Sequence, residues 1–219
     1  MKKLLFLVIL LFQFCSYENP FTARIKSDYI PIDKSGNFWI YKNTDGSVKY
    51  LEVKENETNM EKDNKEVIIL EVNYEETYWY KGEGYVSRYR DIEINFNGEL
   101  FPVENRWQNY IEIPLVKGNS WQDIWEDTLI FFNQPLYRID KITGFVEGVE
   151  IVETEAGTFK NCYRIKFYTF EKISSVIIGD SISEDTYYEW YAPDIGLVKS
   201  TEDNENWELT DYGNKEEGD

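Results

Sequence analysis

The feature that most constrains this chain is the regular return of turn-forming residues between short runs rich in aromatic and β-branched ones. Asp45-Gly46 stands between Phe38–Tyr41 and Ser47–Val53, and Asn97-Gly98 between Ile92–Phe96 and Glu99–Phe101. Both pairs are strong signals for two-residue hairpins, because such turns need φ > 0 at their centre. Gly82 and Gly84 break the aromatic stretch Tyr74–Arg90, and Glu155-Ala156-Gly157 divides two further runs. In Glu189–Lys199, Pro193 fixes its own φ and pushes Ala192 to extended geometry, while Gly196 supplies any φ > 0 the turn requires. This punctuation predicts an all-β, mainly antiparallel fold: a curved sheet, half-barrel or barrel-like meander with few short helices.

Taken in order, the runs place strands as follows. An aromatic strand ends at Tyr41, its partner covers Ser47–Val53, and Glu66–Asn73 forms a largely buried strand. Asn56–Lys65, charged and without glycine, reads as a solvated loop. Trp121–Leu129 fits a short helix and a strand about equally. From Tyr137 a meander is expected over Tyr137–Gly144, Phe145–Thr154, Thr158–Phe170, Lys172–Ile178 and Asp185–Tyr191. On Thr158–Phe170 strict alternation puts Phe159, Tyr163, Ile165 and Phe167 on one face, and Lys160, Cys162, Arg164 and Lys166 on the other, which would leave Cys162 partly accessible. With 219 residues, of which 42% are hydrophobic and 17% aromatic, residues 29–219 suffice for a single β-rich domain with its own core.

The first residues have a different character. Met1-Lys2-Lys3 precedes the apolar run Leu4–Phe12, and polarity rises abruptly after Cys15. That profile is expected of a secretory signal peptide over residues 1–14, too short to span a bilayer, which takes about 20 apolar residues. A cysteine directly after such a run resembles the lipobox of bacterial lipoproteins. It departs from the usual box at Phe12 and Phe14, where Leu and a small residue are the rule. The resemblance implies lipid attachment at Cys15, a tether over residues 15–28, and an exported protein anchored to a bacterial membrane in the cell envelope. Beyond Cys15 the chain holds one further cysteine, Cys162, so no internal disulfide would staple the exported domain.

Three segments carry a second resemblance. Tyr29–Tyr41 has the layout Y-x-P…G-x-x-W, Ile151–Ile165 contains Ala156-Gly-Thr-Phe159 followed by Cys162, and Tyr191–Lys199 reads Y-A-P-x-x-G-L-V-K. In this order they resemble a group of uncharacterised bacterial exported proteins and lipoproteins, with Glu155 and Asp194 where Pro and Gly are usual. The resemblance implies a β-rich domain of unassigned function, akin to the half-barrels of periplasmic lipoprotein carriers. It transfers no catalytic residue. The positions it shares, Gly157, Pro193 and Gly196 among them, are those that turns require.

Composition then narrows the chemistry. There is no histidine, which removes Ser-His-Asp and Cys-His catalysis and the histidine-containing zinc sites. Gly179-Asp-Ser-Ile182 resembles an esterase nucleophile block but lacks the downstream histidine that block needs. No Ser-x-x-Lys dyad, dinucleotide loop or Asp-x-Asp-x-Asp-Gly calcium loop occurs, so no metal, cofactor or catalytic residue is assigned. A formal net charge of −18 disfavours nucleic acid as a partner. The surplus that remains is aromatic: 7 Trp and 17 Tyr, placed by alternation on both faces of the sheet. This leads to a non-enzymatic binding or assembly module, tied to the membrane by its lipid, with a hydrophobic ligand or an envelope protein as partner. The alternative is a carbohydrate-binding or glycoside-hydrolysing protein using aromatic platforms and carboxylates.

Overall fold

The computed structural model describes residues 27–55, 60–96, 98–131, 133–176, 179–202 and 205–218. Cys15 and the signal segment lie outside the described residues, as does Asn97. The elements are β1 (Asn37–Asn43), β2 (Val48–Lys54), a small hairpin β3 (Glu61–Lys62) and β4 (Lys65–Glu66), β5 (Ile68–Val72), β6 (Glu75–Lys81), β7 (Tyr85–Phe96) and β8 (Glu99–Glu112). They continue with β9 (Ser120–Phe131), β10 (Gln134–Thr154), β11 (Gly157–Ser175), β12 (Gly179–Ala192), β13 (Gly196–Glu202) and β14 (Glu205–Asn214). The expectation of an all-β antiparallel fold holds, and among the described residues the only helical turn is the 3-10 segment Lys215–Gly218.

Twelve strands form one sheet in the order β8-β7-β6-β5-β2-β1-β14-β13-β12-β11-β10-β9. This is chain order run around a circle. The sheet is joined where the chain's ends meet, by the β1–β14 ladder, and left without a ladder between the consecutive strands β8 and β9. Those two strands nevertheless approach each other, so the sheet is nearly closed and barrel-like. The described turn residues stand between paired strands. Asp45 Oδ1 accepts the Ser47 amide at 2.8 Å beside Gly46 at φ 89°, and Gly98 (φ 89°) sits between the paired Phe96 and Glu99. Gly157 opens β11 opposite Thr154, and Gly196 (φ 97°) pairs with Ala192 across Pro193.

Several expectations are corrected. Phe145 does not begin a new strand and Lys172 does not follow a turn: β10 runs 21 residues and β11 19, in one continuous ladder from Leu136↔Ser175 to Thr154↔Gly157. Gly144 breaks nothing; it makes room, since a Cβ there would stand 2.1 Å from Trp121 Cζ2. Trp121–Leu129 is strand, held by its register with β10. Lys62 and Lys65, expected in a loop, pair in the β3–β4 hairpin around Asp63 and Asn64, both at positive φ.

Cys162 is the sharpest correction: it is fully buried, at 0% exposure. Glu150 faces Cys162 and Val152 faces Phe159, so Lys160 and Asn161 share one partner in a β-bulge with Asn161 at φ 61°. The extra residue resets the alternation and brings Cys162 into phase with Phe159, both of them buried.

The core lies inside the barrel. Tyr110 of β8, Phe167 of β11 and Tyr187 of β12 stack across it, with centroids 5.1 Å and 4.9 Å apart and planes within 9° and 18° of parallel. Trp121 meets Phe167 edge-on at 5.9 Å. Burying an aromatic of this size contributes about 1.5–3 kcal/mol. One end is closed by the segment before β1. Ile30 and Ile32 are buried, Asp28 and Asp194 exchange hydrogen bonds, and Lys81 binds Asp28 at 2.6 Å and Asp33 at 2.9 Å.

Candidate functional site

Beside the ring stack the interior keeps a hollow of about 220 Å³, walled by Ile30, Trp39, Leu70, Trp79, Tyr110 and Tyr191 among others. Alternation of β12 delivers Tyr187, Glu189 and Tyr191 to it, while Tyr188 and Trp190 point outward. Its walls are fixed from behind. Trp39 Nε1 donates to Ile195 O at 2.6 Å and Tyr41 Oη to Leu197 O at 2.9 Å.

In this apolar setting stands one carboxylate, Glu189, 8% exposed. Tyr110 Oη donates to its Oε1 at 2.7 Å, and Tyr191 Oη donates to its Oε2 at 2.5 Å. Burial first, and then the charge of Glu189, pushes both phenols well above their ordinary range, so both stay protonated donors at neutral pH. Burial and Glu189 likewise raise Tyr41. Arg88 lies over the Tyr110 ring at 4.4 Å and gives its Nε to Gln108 at 2.7 Å.

Arg88 and Tyr187 also line a second space of about 220 Å³, which is polar, with Arg90, Arg138, Asp140, Thr169 and Glu171. Arg138 Nη2 stands 3.1 Å from Glu104 Oε2, 2.9 Å from Glu171 and 3.8 Å from Asp140, and Arg90 Nε lies 3.5 Å from Glu104. These are ion-pair distances, but among the described residues no donor is aligned to make a hydrogen bond to Glu104 Oε2. Burial foremost, with Arg88 nearby, lowers the Arg90 pKa from its usual value. The interior thus changes along its axis from aromatic to ionic, with Arg88 and Tyr187 at the boundary. Among the described residues no three Cys, Asp or Glu side chains are gathered to hold a metal ion.

The turn residues singled out from the sequence do not converge. Asp45, Gly46, Gly98 and Gly157 stand at separate hairpins; Pro193 and Gly196 shape the loop whose Ile195 and Leu197 carbonyls hold Trp39 and Tyr41. Sequence reasoning did not single out Glu189, Tyr110 or Arg88. For Glu189 a signal existed: it shares its parity with Tyr187 and Tyr191, so a charge sits on an otherwise aromatic face.

Residues 132–214, which hold β10–β14, match a family described as DUF3108-like. A solved chain from Parabacteroides distasonis, described as a "putative lipoprotein", is similar at 14% identity and a TM-score of 0.45, over 85% of this chain and 99% of that one. No curated protein matches this chain.

Proposed function

We propose that this chain is a cell-envelope protein, lipid-anchored at Cys15, whose barrel interior binds a small, mostly apolar ligand carrying one polar group, without transforming it. The observation that carries the reading is a single buried carboxylate, held by two phenols, in the wall of an aromatic hollow. Ligand sites commonly combine apolar walls with few placed polar groups. Size narrows the class. At about 220 Å³ the hollow exceeds a cavity of about 150 Å³ that takes benzene, and falls below the ~300–1,000 Å³ of drug-sized sites. A fused-ring aromatic or a short alkyl chain suits it; a two-chain lipid does not. Glycoside hydrolysis draws no support from this hollow, which offers one carboxylate where that chemistry uses two.

The test uses 1-anilinonaphthalene-8-sulfonate and native mass spectrometry of protein purified from cells. Saturable one-to-one dye fluorescence, lost in Leu70→Trp, which fills the hollow, and weakened in Tyr110→Phe, supports the reading. Bare protein mass together with a dye response indifferent to both variants overturns it. Anchoring is separate: Cys15→Ala should release the protein from membranes, and unchanged partitioning would refute the lipid.

A further inference from the structure

The outer face of β6–β8 carries an aromatic cluster unconnected with the interior. Tyr78 and Tyr80 on β6, Tyr85 and Tyr89 on β7 and Trp107 on β8 all project outward, because they alternate with Trp79, Arg88 and Gln108, which point in. Tyr80 and Tyr89 meet Trp107 edge-on at 6.2 and 5.1 Å, and Tyr80 lies 6.0 Å from Tyr85.

Over this face lies the β3–β4 hairpin, fixed by Trp107 Nε1 donating to Lys62 O at 3.1 Å. Its two paired lysines both reach down. Lys62 Nζ is 4.3 Å from the Tyr89 centroid and 4.6 Å from that of Tyr78; Lys65 Nζ is 5.0, 5.1 and 5.6 Å from Tyr80, Trp107 and Tyr85. Like charges directly opposite one another across a hairpin repel. Lysine in a chain with 41 acidic residues ordinarily finds a carboxylate, yet among the described residues neither ammonium forms an ion pair. Among the described residues it is ring faces that hold them.

We propose that these five rings form a binding site for methylated ammonium ions, occupied in the free protein by Lys62 and Lys65 of the chain's own hairpin. Ring quadrupoles attract cations, and they favour those that give up water readily. An N-methylated ammonium is weakly hydrated and spreads its charge over its methyl groups, so it suits a box walled by ring faces, in which the carboxylate of Glu76 is engaged by the Tyr78 hydroxyl at 3.1 Å, better than a metal ion or a primary amine does. A ligand of this class competes with the hairpin, and binding lifts the hairpin from the face.

Tetramethylammonium chloride is the probe, with sodium chloride at equal ionic strength as control. In Lys62→Ala/Lys65→Ala, Trp fluorescence should respond saturably, with an apparent Kd at least about tenfold lower than in the unaltered chain, and adding Tyr80→Leu should abolish the response. In the unaltered chain, which needs no substitution to fold, the probe should speed amide exchange at Met60–Val67 and leave β10–β12 unchanged. Responses equal to those in sodium chloride, or insensitive to Tyr80→Leu, overturn the proposal and leave the rings a clasp for the hairpin. So does unchanged exchange at saturating probe.

Discussion

The two ways this sheet holds together differ in kind. Through β10, β11 and β12 the strands are joined by long backbone ladders, 19 to 21 residues deep in the two longest strands. Between β8 and β9 there is no ladder, and side chains bridge the gap instead. Trp121 Nε1 donates to Tyr110 O at 2.8 Å, Asp123 accepts the Asn109 amide at 3.1 Å and pairs with Arg106 at 2.5 Å, and Arg138 reaches Glu104 from β10. The Arg106 and Arg138 guanidiniums each stand 5.4 Å from the Trp125 ring. A ladder repeats one weak interaction many times and survives the loss of any single side chain. A side-chain suture concentrates its hold in a few buried groups, and the ionic layer of the interior is that suture seen from inside.

The largest effect is therefore expected at the seam. Glu104, 2% exposed, faces Arg90, Arg106 and Arg138; Glu104→Ala leaves the buried Arg138 and the half-buried Arg90 and Arg106 without it. Breaking a buried pair from one side costs about 3–5 kcal/mol. Urea denaturation should show that loss. Lys42→Ala, which removes the exposed pair with Glu155 beside the ladder region, should stay within about 0.5 kcal/mol. Equal, small effects at both places would show that the seam does not depend on its ions.

A second contrast uses two glycines of β10. Gly144→Ala drives a Cβ into Trp121, whereas a Cβ at Gly148 meets nothing within 4 Å. Overpacking of this kind costs about 1–3 kcal/mol. Because Trp121 is also the seam's hydrogen-bond donor, Gly144→Ala should redden the Trp emission and deprotect amides of β8 and β9 before those of β11. Gly148→Ala should do neither. Matching behaviour of the two variants would separate Trp121 from the closure.

The same division governs what the sequence made legible. Hairpins announced themselves through Asp45-Gly46 and Asn97-Gly98, since a two-residue turn is decided by the residues in it. The β1–β14 closure and the β8–β9 gap joined by Arg106 and Asp123 are relations between residues far apart around the barrel, and alternation says nothing about which strands meet. The interior carboxylate was half legible: parity placed Glu189 with Tyr187 and Tyr191, but its donor Tyr110 comes from 79 residues away. Lys62 and Lys65 read as solvated for a similar reason, because the rings beneath them belong to later strands.

The smallest expected effect tests the ladder side, where the sequence misled. Strict alternation places Cys162 outside; the Asn161 bulge places it inside, with Sγ 3.4 Å from Phe159 O. Burial, the foremost cause, pushes the thiol up to about 11. At pH 8 about one molecule in a thousand then carries a thiolate, against roughly a quarter for a free thiol with pKa near 8.5. In the Cys15→Ala chain, 5,5′-dithiobis(2-nitrobenzoic acid) should leave Cys162 untouched natively and label it at once in urea. Since the bulge lies within a continuous ladder, labelling should track global unfolding. It should therefore slow or speed in step with stability when the seam is cut by Glu104→Ala, without any new local route to the thiol. Rapid native labelling would mean that the ladder opens locally at Asn161, and the contrast between a robust ladder and a fragile seam would fail at its strong end.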